Sequence, residues 1–243
     1  NPLSLRKNMR KLSFILSIFL ISHYTNAGVS IDGTRIIFPS NAKSVSVQLR
    51  NEFATPALVQ TWIDQGDMGT IPAADQIPFV LTPPLSRVES KKGQIIRIIP
   101  TGSPTLPQDR ESLYWFNMLD IPPEDPANES KNVLTFNVRS RIKLFYRPTS
   151  LKISSDKAFA SVRYNYNNST QSVTLDNPTP YFVTVTKADF KNKNQTASYT
   201  ADAVMLAPFS QQTLNKFQLK FQPDQMSYTI INDLGGNQTF EVK

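Results

Sequence analysis

Beyond its first 27 residues the chain never runs far without a turn signal. ATP (54–56), LTPPL (81–85), PTGSPTLPQD (100–109), DIPPEDPANES (120–130) and DNPTP (176–180) cut it into short pieces. Proline cannot continue a helix or donate to a ladder, so long helices are excluded. The pieces between are β-branched or aromatic. Val45, Val47 and Leu49 alternate with polar residues, and Val59, Thr61 and Ile63 alternate with Leu58, Gln60 and Trp62. QIIRIIP (94–100), SLYWFNML (112–119), YFVTVTKA (181–188) and FQLKF (217–221) read the same way. No helix-length 3.6-residue period appears. Many short strands at regular spacing predict an all-β chain built from sandwiches or barrels.

The first 27 residues are of another kind. Arg6, Lys7, Arg10 and Lys11 precede the apolar run LSFILSIFLI (12–21), and Thr25 and Ala27 take the −3 and −1 places of a cleavage site. That is the pattern of a secretory signal peptide over 1–27, with Met9 opening a tidier version of it. The run is shorter than the ~20 residues a membrane span needs. The expected mature chain starts at Gly28, is exported, and has no stable membrane insertion. Residues 1–27 hold four of the 26 Lys and Arg and none of the 19 Asp and Glu. The remainder carries 22 and 19, a net charge of +3 rather than +7. That excess is no footprint for nucleic acid.

The sequence has no Cys, and its one His is His23, inside the signal. Imidazole- and thiol-based nucleophilic catalysis is therefore absent from the mature chain, as are the usual zinc ligands. No enzyme, metal or cofactor is expected, and a binding role is left. An exported two-domain adhesin or carbohydrate-binding module is one such role. The paired acids Asp64 with Asp67, and Glu124 with Asp125, read as solvated turn residues. The sequons at Asn128 and Asn237 read as chance in an Asn-rich chain.

YRPTSLKIS (146–154) marks a boundary. It divides the chain into 28–147 and 148–243, each near the ~100 residues of an immunoglobulin-like sandwich. Two charged features stand out. Arg97 lies amid Ile95, Ile96, Ile98 and Ile99; it either pairs with an acid, such as Glu111 or Asp233, or faces outward. In NVLTFNVRSRIKLFYRP (132–148), Leu134, Phe136 and Val138 alternate with polar residues, and Arg139, Arg141, Lys143 and Arg147 crowd the end. The apolar row either fills its own core or forms an exposed edge that adds to another sheet. Lys143 falls on the opposite face from Leu134, so the strand bends between them or its two faces serve different surfaces.

LPQDRESLYWFNMLDIPP (106–123) closely resembles the signature of the periplasmic pilus chaperones of Gram-negative bacteria, the P-pilus chaperone family. VSIDGTRIIF (29–38), IKLFYRP (142–148), NPTPYFVTV (177–185), VMLAP (204–208) and INDLGG (231–236) follow in the family's order. The resemblance implies two immunoglobulin-like domains set as an L around a cleft. It places the pilin's C-terminal carboxylate on Arg35 and Lys143. It makes Leu134, Phe136 and Val138 the row inserted into the pilin, and Arg97, Glu111 and Asp233 an interdomain ion network. Implied partners are pilin subunits and an outer-membrane usher, in the periplasm, without ATP; a self-capping dimer is a state open to the free chain. Many relatives carry a disulfide in the second domain, which this chain lacks. The short EDPANES connection and the missing Cys match the family's short-loop subclass.

Overall fold

The computed structural model describes residues 28–121 and 137–242, and within them the chain is almost wholly strand. In the first domain the strands are β1 (Val29–Ile31), β2 (Arg35–Pro39), β3 (Val45–Asn51), β4 (Ala57–Asp64), β5 (Phe79–Thr82), β6 (Leu85–Val88), β7 (Gly93–Pro100), β8 (Ser112–Ile121) and β9 (Val138–Arg147). They form two sheets, in the orders β1-β3-β7-β5 and β2-β9-β8-β4-β6. Every pairing is antiparallel except β2 with β9. The inward rows meet in one core: Val47 and Leu49 from β3, Ile96 and Ile98 from β7, Phe116 and Met118 from β8, and Leu144 from β9. Each such side chain contributes about 1.5–3 kcal/mol of burial. Phe79 lies between Phe38, at 5.0 Å, and Tyr114, at 5.4 Å.

The second domain opens with a one-turn helix α1 (Ser155–Phe159), followed by β10 (Arg163–Asn167), β11 (Ser172–Asn177), β12 (Val183–Lys191), β13 (Thr196–Tyr199), β14 (Val204–Leu206), β15 (Ser210–Thr213), β16 (Gln225–Ile231) and β17 (Asn237–Val242). One sheet runs β10-β11-β15; the other runs β13-β12-β16-β17, with β14 also on β12. Val173, Leu175, Val183, Val185, Phe190 and Tyr228 lie in its core. The Tyr228 hydroxyl donates to the Phe159 carbonyl at 2.7 Å and accepts from Val162 N, which ties α1 down. Burial pushes this phenol up to about 12.

The alternation in FQLKF marks a buried row but no strand. Leu219 is fully buried and Phe217 packs against the core, yet the segment joins no ladder. Its backbone is held by Leu219 N donating to the Gln171 carbonyl and by the Tyr166 hydroxyl donating to the Leu219 carbonyl. Asp64 also departs from expectation. It ends a strand instead of sitting in a solvated turn, and its side chain is fully buried.

Candidate functional site

Strand β9 organises the site. Its ladder with β8 runs from Asp120↔Val138 to Ser112↔Tyr146 without a register shift. The ladder therefore has no bulge between Val138 and Lys143, and these two residues keep to opposite faces of the strand. Ile142, Leu144 and Tyr146 pack on the first core. Arg139, Arg141, Lys143, Phe145 and Arg147 share the other face, as alternation requires. Strand β2 covers the far edge of β9 only from Arg35↔Lys143 to Pro39↔Arg147. From Val138 to Ile142 that edge has no strand partner among the described residues. Val138 is 55% exposed. Leu134 and Phe136 lie outside the described residues.

Arg35 and Lys143 stand side by side where the open edge ends. Arg35 Nη1 donates to the Ile231 carbonyl of the second domain at 3.0 Å, and the guanidinium lies 5.8 Å from the Phe145 ring. Its Nε is buried without a hydrogen-bond partner among the described residues. Lys143 Nζ donates to Thr184 Oγ1, again of the second domain, at 3.2 Å. Neither cation is within ion-pair distance of a carboxylate among the described residues. Burial, and then the neighbouring Arg35 charge, draw Lys143 below the ordinary lysine range. Burial likewise lowers Arg35, against the pull of Asp233 and Glu111. Two desolvated cations with spare donors have the chemistry to hold an anion such as a carboxylate.

The interdomain ion network is real, but its cation is Arg147, not Arg97. Arg97 is exposed on the outer face of β7, between the buried Ile96 and Ile98. Arg147 donates from Nε to Glu111 Oε1 at 2.6 Å, and grips Asp233 with Nη1 and Nη2 at 2.7 and 2.8 Å. The other Glu111 oxygen accepts from Phe182 N at 2.8 Å. The second domain covers Glu111 so fully that its side chain is 1% exposed. Burial therefore raises its carboxyl above the usual range, despite Arg147. Asp233 is 27% exposed. Burial pushes its carboxyl up too, but the Arg147 fork outweighs that and holds it low.

Further up the same face, Arg141 stacks 4.0 Å from the Trp115 ring and Arg139 4.9 Å from Trp62. Asp64 accepts from Arg141 Nη2 at 2.5 Å and from Asn117 Nδ2 at 2.7 Å. Arg139 Nη1 reaches the Met68 carbonyl, tying the loop after β4 to β9. Sequence reading named Asp64, Arg139 and Arg141 but paired none of them with these partners. The signal available was the two-residue spacing of the β9 cations, which puts all of them on one face.

The turn after β16 closes the cleft against the first domain. Asn232 Oδ1 accepts from Leu234 N at 3.1 Å and Gly236 N at 2.9 Å, and Gly235 N donates to the Asn232 carbonyl at 2.9 Å. Gly235 has φ +82°, and a Cβ there would clash with Thr34 Oγ1. Gly235→Ala should cost about 1–2 kcal/mol by chemical denaturation, from backbone strain and the clash together. Adding Thr34→Ala should recover the clash part alone; a double variant no better than the single would place the cost elsewhere.

Comparison with known proteins decides the family. The pilus and flagellar-assembly chaperone family, represented by the PapD N-terminal domain, matches residues 28–152, and the PapD C-terminal domain of pilus-assembly chaperones matches 157–242. The chain belongs to the PapD family of pilus-assembly chaperones. It is 38% identical to the probable fimbrial chaperone YadV of Escherichia coli K12, over 95% of each chain. It is 40% identical to the chaperone protein HifB of Haemophilus influenzae, over 96% of this chain and 95% of that one. The YadV crystal structure superposes with a TM-score of 0.73 at 36% identity, covering 89% of this chain and 99% of the other. The SafB chaperone of Salmonella enterica, solved in complex with SafA pilin, shares the fold with a TM-score of 0.71 at 23% identity, over 88% and 95%. The two-domain β-sandwich architecture of these PapD-like chaperones is the architecture of this chain.

Proposed function

We propose that this chaperone acts in the periplasm on pilin subunits, by lending them strand β9. A subunit whose sandwich lacks a strand aligns with the open edge from Val138 to Ile142. Its C-terminal carboxylate lodges between Arg35 and Lys143. Leu134, Phe136 and Val138 fill its groove. Strand addition of this kind draws affinity from main-chain hydrogen bonds and specificity from alternate side chains, and chaperone–pilin complexes are a known instance. Each inserted apolar residue adds about 1.5–3 kcal/mol before association costs. Capped in this way, the subunit passes to an outer-membrane usher, and no ATP is needed because strand exchange supplies the drive. Residues 28–147 and 148–243 are the two functional domains, joined at Pro148.

One observation carries the reading: the unpaired edge of β9 ends at two adjacent cations that lack a carboxylate partner among the described residues. Co-purification from periplasm with the pilins encoded beside it tests the whole. A pilin in the complex is expected; a chaperone recovered alone from cells making those pilins would refute it. Phe136→Glu should weaken subunit binding at least tenfold, since a charge would enter an apolar groove. Affinity equal to the parent would mean that this row serves only its own domain.

A further inference from the structure

Leu234 is 95% exposed, more than any other large apolar side chain among the described residues. Turn tips ordinarily carry polar residues or glycine. This tip is also held from both sides. Asn232 fixes the backbone of Leu234 and Gly236, Gly235 abuts Thr34, and Asp233 is gripped by Arg147. Three residues before Leu234, the Ile231 carbonyl accepts from Arg35. The exposed leucine thus stands on a fixed turn that begins one residue after the carbonyl holding Arg35. Nothing in its own domain uses the side chain, and the turn keeps it from folding back.

We infer that Leu234 is a specificity-determining residue, which selects partners with an apolar side chain in the last two residues before the free carboxylate. This rests on the reading above, in which a partner's C-terminus lies between Arg35 and Lys143. A chain end seated there comes beside the 232–236 turn, because that turn begins directly after Ile231, whose carbonyl accepts from Arg35. An apolar side chain near that end removes Leu234 from water; a polar one leaves it exposed and gains nothing. Pocket discrimination of this kind is worth about 10- to 200-fold.

The test uses the purified chaperone and synthetic 12-residue peptides with alternating apolar residues, in three forms. One ends in two apolar residues with a free carboxylate, one ends in two serines with a free carboxylate, and one is the apolar form capped as an amide. Affinities are read by fluorescence anisotropy. The parent should prefer the apolar carboxylate peptide over the serine peptide by about tenfold. Leu234→Ser should reduce that preference to about twofold or less with an unchanged melting temperature, since the side chain packs on nothing. Leu234→Phe should keep it. An undiminished preference in Leu234→Ser overturns the inference. So does an effect confined to the oligomeric state, read by sedimentation, because the leucine would then serve a contact between copies. Equal binding of amide and carboxylate peptides would instead overturn the anchor reading itself. The two failures are distinct.

Discussion

Arg147→Ala should destabilise the protein by about 3–5 kcal/mol, the usual penalty for leaving a buried charge without its partner. Glu111 is the reason. Its side chain is 1% exposed and keeps only the Phe182 amide once Arg147 is gone. Asp233, more open to water, suffers less. Arg97→Ala should change stability by no more than about 0.5 kcal/mol, since Arg97 is an exposed side chain on an outer face. Urea denaturation of the pair separates the two. If Arg97→Ala is the damaging change, the network has been assigned to the wrong cation.

The Arg147→Ala variant also has a pH signature. Burial already raises the Glu111 carboxyl in the intact network, and losing the guanidinium raises it further. A carboxyl whose folded pKa lies above its unfolded value destabilises the fold at neutral pH. The penalty shrinks as pH falls through the folded pKa and vanishes below the unfolded one. The variant should therefore regain stability on acidification from pH 7 toward the ordinary carboxylate range. The parent has an opposing contribution from Asp233, whose folded pKa is lowered. That contribution is present above the unfolded value and is lost as pH falls through the folded one. A variant that parallels the parent at every pH would show that Glu111 finds another cation.

Lys143→Met should abolish recovery of pilin subunits and leave the free chaperone at least as stable as the parent. Hydrogen bonds to a charged group are worth about 1.5–3 kcal/mol, or ten- to a hundredfold in affinity. The stability half follows from the lowered pKa of Lys143. Below that folded pKa the buried charge opposes folding, and the opposition fades as pH rises through it toward the unfolded value. Methionine removes the charge and keeps the stem. Arg35→Ala should lose capture as well, together with the bond to Ile231. Wild-type subunit recovery in either variant would show the carboxylate to be held elsewhere.

Alternation made much of this legible. The rows of β3 and β4 are where the apolar periods put them, β7 and β8 fall on apolar runs, and among the described residues the prolines of 83–84, 104–107 and 178–180 lie between strands. The same rule settles Arg97. Ile96 and Ile98 are buried, so the residue between them must point away from the core. It also places Arg147 on the face of Lys143, four residues back, where the second domain lies. What one-dimensional reading lacked was the covering domain. Glu111 is buried by residues 180–182, about 70 positions later, and no local pattern reports that. Asp64 looked like a turn acid for the same reason, because Arg139 and Arg141 reach it from 75 and 77 positions away. FQLKF had a strand's alternation without a partner to complete a ladder, since periodicity reports which side is wet and not who donates to whom.

The parallel pairing of β2 with β9 has one more consequence. Because β2 meets β9 first at Arg35↔Lys143, a strand entering along the open edge can advance no further than that pair. Each residue of such a strand advances about 3.3 Å and alternates faces, so a slip of one residue exchanges its inward and outward side chains. On the proposed reading, the domain measures a guest from its end. Two guests with the same apolar residues, but one extra residue after the last of them, would be told apart by parity alone. Selection could then be strict while most of the guest's sequence stays free to vary.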